Sequence, residues 1–365
     1  MSFKAGDLTI RGAANPPPPP SLKGVKFGTL FTPHMVMIDS VSETQWGAPG
    51  IVPFQNLSIP PQTACLHYGL QCFEGLKAYR DAAGRIRLFR PERNCERLLR
   101  SMQRLCFPSF DPKELLKVIM EFVKVEKDYI PTERGYSLYL RPAAIGFGNT
   151  LSAAPSPQVK LFVIASPVGP YYASGMKPVK LLVEEKRKRA WPGGTGDVKL
   201  GANYAGPMLA QKEAEARGYQ QVLWLGPDGE VEEVGAMNFM CLWQPSSAKP
   251  DLELITAPLD GSVLPGVTRD SILALARQWG EVKVSERKFT IEELVDALKE
   301  NRVMECFGCG TAAIVSPVEA LRFRDKEYNV PCPEPKKSHT HRMLNAIMDI
   351  QYGVVEHEWS HIVQV

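Results

Sequence analysis

Hydrophobic and polar positions divide the first half of the chain into short strands and two helices. Short apolar or alternating runs predict the strands, and apolar stripes at helical spacing predict helices that open at Pro91 and Asp111. Pro112 takes the first position of the second helix, and Glu114 lies three residues after its cap. This half is therefore expected to be α+β, with strands at residues 34–38, 85–89, 136–145 and 159–165.

The second half is predicted to hold mostly short strands, with two further helices. One helix is expected from about Thr268 to Gln278, before Gly280, and the other begins at a capping box of Thr290 and Glu293. Asp228-Gly229 between two strands predicts a hairpin turn. The strands are expected at residues 179–184, 220–225, 231–234, 237–243, 302–307 and 310–315.

These patterns predict two domains, which agrees with a length of 365 residues at about 100–200 residues per domain. The proline run at 16–20 excludes helix and favours an extended segment. Residues 167–177 are rich in Pro, Gly, Ser and Tyr, which is typical of a linker. We expect a loose lead-in (1–24), a smaller N-terminal α+β domain (25–166), the linker (167–177) and a larger C-terminal domain (178–365).

The composition limits which partners and which cellular compartment are expected. With 23% charged residues and a net charge of +3, neither nucleic acid nor a membrane surface is expected as a partner. No apolar run is long enough to cross a bilayer, and the N-terminus shows no signal-peptide core or Arg-rich transit pattern. Cytoplasm is the expected compartment, with mitochondria as the alternative if a presequence is missing. The eight scattered cysteines are expected to be reduced.

One lysine lies in glycine-rich surroundings that suit chemistry. Lys199 follows Gly193-Gly194-Thr195-Gly196 and precedes Gly201 and Tyr204. Glycine lets the backbone approach a flat or charged group, and a buried lysine can lose its proton and form an imine with a carbonyl. On this segment alone, a solvated surface lysine is the commoner alternative.

Three further segments could serve the same site. Glu233 stands at the end of a predicted strand, where it can present a carboxylate. Residues 264–269 open a helix after a Pro-Gly turn, and helix-start amides suit a phosphate. Residues 308–313 form a small-residue loop between strands that could bind an anion. Each segment by itself is more often structural.

Together, these segments closely resemble the signature of class IV (fold type IV) pyridoxal-phosphate aminotransferases. The match consists of Glu233 to Phe239, then Thr256, then Leu264 to Arg269. The first half extends the resemblance to branched-chain amino acid aminotransferases of the animal type, from about Phe27 to the C-terminus. The supporting segments are residues 53–57, 67–75, 88–91, 97–98 and 138–142.

The resemblance implies an architecture and an activity. The fold would be fold type IV (α+β and α/β), with two domains and pyridoxal 5'-phosphate in the cleft between them. The enzyme would transfer the amino group of L-leucine, L-isoleucine or L-valine reversibly to 2-oxoglutarate, by a ping-pong reaction. It would be a homodimer in which a partner subunit completes the pocket, and no metal is expected.

The resemblance also implies roles for the cofactor-binding residues. Lys199 would be the catalytic residue, holding the cofactor as an imine and moving a proton between substrate and cofactor. Glu233 would face the pyridine nitrogen and favour the protonated ring, and Tyr204 would hydrogen-bond the ring hydroxyl oxygen. The phosphate would be bound by Arg97, Val267, Thr268 and Thr311.

Substrate binding would use an apolar, aromatic box that suits branched side chains. The substrate carboxylate would meet Tyr68 and the amides of Thr311 and Ala312, with Arg141 supporting Tyr68 and Leu151 in the matching inter-domain loop. The box itself would comprise Phe27, Tyr68, Phe73, Tyr139, Tyr171 and Ala236.

The chain departs from the animal pattern at its cysteines. Ala313 and Ser316 stand where animal forms carry a redox Cys-x-x-Cys, so that thiol switch is expected to be absent. Cys306 and Cys309 form a displaced Cys-x-x-Cys in a predicted strand and loop. A structural role is expected for them rather than a redox or metal role.

Several alternatives stay open at this point. The same fold serves D-amino acid aminotransferases and aminodeoxychorismate lyases, and a cofactor-binding protein need not be catalytic. His357 and His361 match the zinc-peptidase pattern H-E-x-x-H, although no downstream third ligand follows. His339 and His341 lie in a polar segment that is expected at the surface.

Overall fold

The structure is a computed structural model that describes residues 2–148, 150–170, 177–246 and 251–364. The chain forms two compact units. The first comprises residues 1–173, 198–202 and 348–365, and the second comprises residues 174–197 and 203–347. The short segment around Lys199 therefore belongs to the first unit. The domain boundaries expected from the sequence stay a prediction, and most of the predicted linker (171–176) lies outside the described residues.

Among the residues that the structure describes, the first half of the chain contributes nine strands and three α-helices. The helices are α1 (Ala64–Tyr68), α2 (Pro91–Arg104) and α3 (Pro112–Val125). The strands are β1 (Thr9–Ile10), β2 (His34–Ser42), β3 (Gln45–Trp46), β4 (Gly50–Pro53), β5 (Gln71–Phe73), β6 (Leu76–Arg80), β7 (Ile86–Phe89), β8 (Ser137–Phe147) and β9 (Gln158–Val168).

In the described part of the second half there are five α-helices and ten strands. The helices are α4 (Ala202–Ala205), α5 (Met208–Ala216), α6 (Val267–Trp279), α7 (Ile291–Lys299) and α8 (His339–Gln351). The strands are β10 (Val179–Glu184), β11 (Gln221–Leu225), β12 (Val231–Val234), β13 (Met237–Trp243), β14 (Glu253–Thr256), β15 (Lys283–Glu286), β16 (Val303–Gly310), β17 (Ile314–Phe323), β18 (Lys326–Asn329) and β19 (Ser360–Val363).

A single sheet organises the first unit. Its order is β1-β4-β2-β9-β8-β6-β7-β19, with β3 beside β2 and β5 beside β8. All pairs are antiparallel except β1 with β4. The apolar faces of α2 and α3 share a buried core with this sheet, through Leu98, Phe122 and Leu138 among others. Val198 and Leu200 are part of the same core, which fixes the backbone on both sides of Lys199.

The sheet of the second unit closes on itself. Strands follow the order β12-β11-β10-β17-β16-β13, and β13 pairs again with β12. This ring leaves no unpaired edge among those six strands. β14 and β15 extend from β13, and β18 lies on β17. Glu233 therefore sits in β12, between β11 and β13.

Most of the predicted elements are confirmed. Asp111 caps α3 by accepting a bond from the Lys113 amide at 2.9 Å. The capping box of α7 is present, because Thr290 and Glu293 each accept a bond from the other's amide. The predicted strand at 179–184 matches β10, and Gly280 ends α6 in a left-handed conformation.

Two predictions in the second unit are wrong. Residues 310–315 do not form a strand, because β16 continues to Gly310 and β17 begins only at Ile314. The glycines of β16 suggested a loop, but a Cβ at Gly308 would lie 2.7 Å from Val234, so close packing explains the small residues there. The segment at 339–341 is not merely surface, since it opens α8 and buries Thr340.

In the part of the chain that the structure describes, no helix has the length and apolar character needed to span a membrane.

Replacing Thr290 by Ala should weaken α7 by about 1 kcal/mol, because the Glu293 amide loses its side-chain acceptor at 3.1 Å. Hydrogen exchange of residues 291–299 should become about fivefold faster, the factor that corresponds to this free energy. Thr290→Ser keeps the hydroxyl and should exchange like the wild type. Equal exchange in the Ala variant and the wild type would contradict the assignment.

Candidate active site

Backbone pairing with β5 holds the segment of Lys199. The Phe73 amide donates to the Lys199 carbonyl at 3.1 Å, and the Gly201 amide donates to the Gln71 carbonyl at 3.1 Å. The Lys199 amide itself donates to the Ser101 hydroxyl of α2 at 2.9 Å. The segment therefore acts as a short extra strand within the first unit.

Strand alternation directs the Lys199 side chain away from the core. Val198 and Leu200 are only 3% and 4% exposed, and both pack into the core of the first unit. Lys199 lies between them and points to the other side, with Nζ 4.8 Å from the centre of the Phe73 ring. The amine thus lies over an aromatic face.

Burial and neighbouring charge favour the neutral form of this amine. Desolvation lowers the pKa of Lys199 to about 8, the positive charges of Arg97 and Arg141 act in the same direction, and Glu74 and Tyr139 oppose them. A lysine with this pKa carries a usable fraction of neutral amine near neutral pH, which an ordinary lysine lacks.

Glu74 and Arg97 form a buried ion pair beside Lys199. Arg97 donates from Nε to Glu74 Oε1 at 2.6 Å and from Nη2 to Oε2 at 2.9 Å, and Asn94 Nδ2 donates to Oε2 at 2.9 Å. Although burial opposes ionisation, Arg97, Lys199 and Asn94 together hold the pKa of Glu74 below its usual range. The pair is therefore ionised, and each partner compensates the other's charge.

Aromatic side chains surround the same region of the first unit. Tyr139 is buried, and its ring lies 5.0 Å from that of Phe27. Arg141 donates to the Tyr139 hydroxyl at 3.0 Å, and its guanidinium lies 4.7 Å from the Phe73 ring centre. Arg141 thus contacts Tyr139, while its expected support of Tyr68 stays a prediction.

Tyr68 lies at the end of α1 and is 41% exposed. Its hydroxyl donates to the Leu151 carbonyl, and Leu151 is itself exposed. Tyr171, the remaining residue of the expected substrate box in this half, lies outside the described residues.

In the second unit, a network of polar groups fixes Glu233. The side chain is buried, and its Oε1 accepts a bond from Asn238 Nδ2 at 2.9 Å and from the Leu264 amide at 3.1 Å. Asn238 also donates to the Leu264 carbonyl at 2.8 Å. Oε2 lies 2.7 Å from Arg189 Nε. This network joins Glu233 to the loop that leads into α6.

At the start of α6, the backbone lies close to the side chain of Asn238. Its cap residue, Gly266, offers no side-chain cap, and a Cβ there would lie 2.2 Å from Asn238 Oδ1. Val267 and Thr268 follow and are mostly buried. A helix start without a side-chain cap suits an anion.

The remaining predicted residues of the second unit lie in turns and at a helix. Thr311 and Ala312 are half-buried in the turn between β16 and β17. Ala236 is exposed in the turn between β12 and β13, and Tyr204 is half-buried in α4. Asn238, the neighbour of Glu233, pairs with Cys309 in β16, so the strand that leads into the 311–313 turn belongs to the same region.

Comparison with known proteins decides the family. Residues 71–321, more than half of the chain, match the family model described as "Amino-transferase class IV". The chain belongs to the class IV aminotransferases.

Relatives of this class IV aminotransferase have closely similar lengths. The mitochondrial branched-chain-amino-acid aminotransferase of Rattus norvegicus is 47% identical over 362 residues, which cover 98% of this chain and 91% of that protein. The cytosolic one of Ovis aries is 45% identical over 361 residues, covering 98% and 93%. The predicted resemblance to the animal-type enzymes is confirmed.

A solved structure supports the fold. The branched-chain aminotransferase of Thermoproteus uzoniensis, crystallised with norvaline, has a TM-score of 0.73 at 25% identity, covering 91% of this class IV aminotransferase and all of that chain. The expected fold type IV is thereby confirmed.

Sequence reasoning missed three residues that hold the site together. Glu74 was recognised only as part of a matching segment, Arg189 belongs to a basic run, and Asn238 belongs to the signature without a role. The partners of Glu74 and Arg189 are far away in sequence, so no local pattern indicates those two contacts. Only the periodicity of β12 and β13, which places Glu233 opposite Asn238, could have suggested one of these pairs.

The alternative zinc motif has the wrong geometry. His361 lies in β19 opposite Leu88, not on a helix, and its Nε2 is 3.2 Å from Glu92 Oε2. Two histidines need a shared helical face to act as i,i+4 ligands. Among the described residues, no group of three potential metal ligands occurs.

Cys306 and Cys309 both lie in β16, so the predicted loop position of the second is wrong. Residues three apart in a strand point to opposite faces, which separates their sulfur atoms. Burial raises the pKa of Cys309 to about 12, and that of Cys306 also lies well above its ordinary value. These features favour the structural role expected for both thiols.

The amine of Lys199 should titrate near pH 8, whereas an exposed lysine titrates at about 10.4. We expect acetylation by acetic anhydride, measured by mass spectrometry on protein freed of bound aldehyde with hydroxylamine, to be half-maximal near pH 8. Glu74→Gln should move this midpoint lower, because Glu74 raises the pKa of Lys199.

Lys77 provides the matched control for this titration. Its pKa is also lowered to about 8, with burial as the cause, so Glu74→Gln should leave its midpoint unchanged. A Lys199 midpoint above pH 10 in the wild type would contradict the described environment.

Proposed function

We propose that this chain catalyses reversible amino transfer from L-leucine, L-isoleucine or L-valine to 2-oxoglutarate, with pyridoxal 5'-phosphate as cofactor. The observation that carries the proposal is the buried Lys199 amine, whose pKa of about 8 leaves part of it neutral beside an ionised Glu74–Arg97 pair. A neutral, buried amine is what imine chemistry with an aldehyde requires. The relatives named for branched-chain substrates support the substrate class.

The residues present fit the cofactor. Lys199 offers an amine for the aldehyde, Glu233 a buried carboxylate for the ring nitrogen, and Tyr204 a hydroxyl for the ring oxygen. The start of α6 offers backbone amides without a side-chain cap, which suit the phosphate together with Arg97 and Thr311. The assignment of these residues to the cofactor is part of the proposal.

Each of these residues has a physical task in the reaction. When bound, the cofactor supplies an aldehyde for the lysine and a ring that withdraws electrons from the substrate carbon. Lys199 Nζ, freed when the substrate amine takes its place, would accept the proton from the substrate α-carbon and deliver it to the cofactor carbon that carries the amino nitrogen. Glu233 would keep a proton on the ring nitrogen through its carboxylate, and Tyr204 would orient the ring through its hydroxyl.

Aromatic side chains favour an apolar substrate. Phe27 and Tyr139 are in ring contact, and Arg141 connects them to Phe73, because it donates to the Tyr139 hydroxyl and lies over the Phe73 ring. Burying a branched aliphatic side chain against such aromatic rings is favourable by about 1.5–3 kcal/mol. Ala236, Tyr68 and Tyr171 complete the proposed box, and the amides of Thr311 and Ala312 bind the substrate carboxylate.

Cytoplasm is the proposed compartment. The relatives include both cytosolic and mitochondrial enzymes at nearly equal identity.

Replacing Lys199 by Ala should abolish transamination from L-leucine to 2-oxoglutarate, because no amine remains to hold the cofactor and move the proton. The visible absorbance of the lysine-bound cofactor should disappear in the same variant. In the wild type, L-leucine should convert this absorbance to that of the amine form of the cofactor, whereas D-alanine should not.

His361→Ala is the control, and both its activity and its spectrum should match the wild type. Activity retained in Lys199→Ala would overturn the proposed role of Lys199. Conversion by D-alanine and not by L-leucine would overturn the substrate class.

The protein is further proposed to be a homodimer whose interface includes the apolar surface formed by Leu66, Tyr68 and Leu151. These side chains are 60%, 41% and 60% exposed, and the Tyr68 hydroxyl is tied to the Leu151 carbonyl. Tyr68 and Leu151 are in contact through this bond, Leu66 lies on the same short helix as Tyr68, and exposed apolar residues of this kind are typical of an interface.

Light scattering after size exclusion should therefore give twice the chain mass of 40.5 kDa. Leu66→Asp should shift the protein towards the monomer, because a charge would be buried without a partner. Val354→Asp, at an exposed apolar position outside this surface, is the control and should remain dimeric. A wild-type monomer would contradict the proposal.

A further inference from the structure

We propose that Arg189 is a positioning residue, which holds the Glu233 carboxylate ionised and in one orientation against the ring nitrogen of the cofactor. The inference rests on the proposed function, because it takes Glu233 to be the acid that faces this nitrogen. In the sequence, Arg189 ends a run of four basic residues (186–189), a pattern typical of solvated charge. The structure gives it a different environment.

Arg189 lies in the network that surrounds Glu233. Its Nε is 2.7 Å from Glu233 Oε2, and the two side chains are 9% and 4% exposed. The contact falls outside hydrogen-bond geometry, so it is an electrostatic pairing. Glu233 Oε1 is held separately by Asn238 Nδ2 and the Leu264 amide. Each carboxylate oxygen therefore has its own partner, which fixes the plane of the group.

Backbone carbonyls hold the guanidinium of Arg189 in place. Its Nη2 donates to the Ser262 carbonyl at 2.5 Å and lies 3.4 Å from the Gly196 carbonyl. Arg187 in the same run differs, because it pairs with Glu213 through side chains that are 41% and 48% exposed. Arg189 is thus positioned by the fold of the second unit, and Arg187 is a solvated surface charge.

Glu232, the preceding residue, shows what this environment does to a carboxyl group. Burial raises the pKa of Glu232, although the Ser262 hydroxyl and the charge of Arg189 act in the other direction. Asp260 and Glu230 add negative charge nearby and raise it further. A buried carboxylate in this part of the unit therefore needs a close cation to remain ionised.

The consequence for the reaction is electrostatic. If Glu233 kept its own proton, it could not stabilise a positive charge on the ring nitrogen, and the ring would withdraw fewer electrons. Removing Arg189 would also take away the close cation of a buried carboxylate, which is unfavourable. Arg189 thus acts on the reaction through Glu233 without touching substrate.

The ring nitrogen itself provides the readout. Holoenzyme is prepared with pyridoxal phosphate that carries 15N at the ring nitrogen, and its chemical shift is measured by solid-state NMR. The wild type should show a protonated nitrogen, and Arg189→Gln should move the shift towards that of a neutral pyridine. At unchanged cofactor content, kcat with L-leucine should fall about 10- to 100-fold, the usual effect of removing such a supporting group.

Two further variants test whether Arg189 acts through its positive charge and through Glu233. Arg189→Lys keeps the positive charge, so the nitrogen should remain protonated, and a neutral nitrogen in this folded variant would overturn the inference. In a Glu233→Gln background, Arg189→Gln should change neither the shift nor kcat further. An additional loss as large as that in the wild-type background would show that Arg189 acts independently of Glu233.

Arg187→Gln is the matched control from the same basic run, and its shift and kcat should equal those of the wild type. A protonated nitrogen in Arg189→Gln with full cofactor content would also overturn the inference. Failure of the proposed function is a separate result, since the wild type would then lack the absorbance of a lysine-bound cofactor.

Discussion

The structure depends on placing the amine of Lys199 out of water while keeping its surroundings electrically balanced. Val198 and Leu200 are buried on one side of a short strand. The side chain of Lys199 therefore points to the other side, where its amine lies over the Phe73 ring. Burial disfavours the ammonium form, and the positive charge of Arg97 adds to that effect. The negative charge of Glu74 acts against this lowering, and the pKa of Lys199 is about 8. The low pKa of this amine follows from strand alternation, which supplies the burial, and from nearby charges, among which Glu74 opposes the lowering.

The two units meet the need for rigidity in different ways. In the first unit, Lys199 belongs to a segment that pairs with β5 and donates to Ser101 of α2, so helix and sheet both hold its backbone. In the second unit, Glu233 belongs to a closed ring of strands, where β12 is paired on both sides. A closed ring gives a side chain little freedom to shift with its backbone. Residues that must keep a fixed direction thus lie on paired strands rather than in long loops.

Sequence reasoning found the elements that carry their own signals and missed those that depend on packing. Asp111 before Pro112 and the Thr290–Glu293 box mark helix starts through local bonds, so they were predictable. Gly308 looked like part of a loop, because nothing in the sequence shows that Val234 packs against it. The family signature indicated Lys199 and Glu233 directly. The partners of these residues were not predictable, since Arg97 to Glu74 and Arg189 to Glu233 are contacts between distant positions.

Two arginine–carboxylate pairs, one in each unit, have opposite relations to the chemistry. In the pair of Arg97 and Glu74, both nitrogens of one guanidinium edge bind the carboxylate, and the pair acts on Lys199 only through its charge. In the pair of Arg189 and Glu233, the arginine is anchored on backbone carbonyls, and the carboxylate is the group proposed to act. A buried ion pair adds little net stability on average, because desolvation offsets attraction. The presence of one such pair in each unit is therefore better explained by control of ionisation, of an amine in one unit and of an acid in the other.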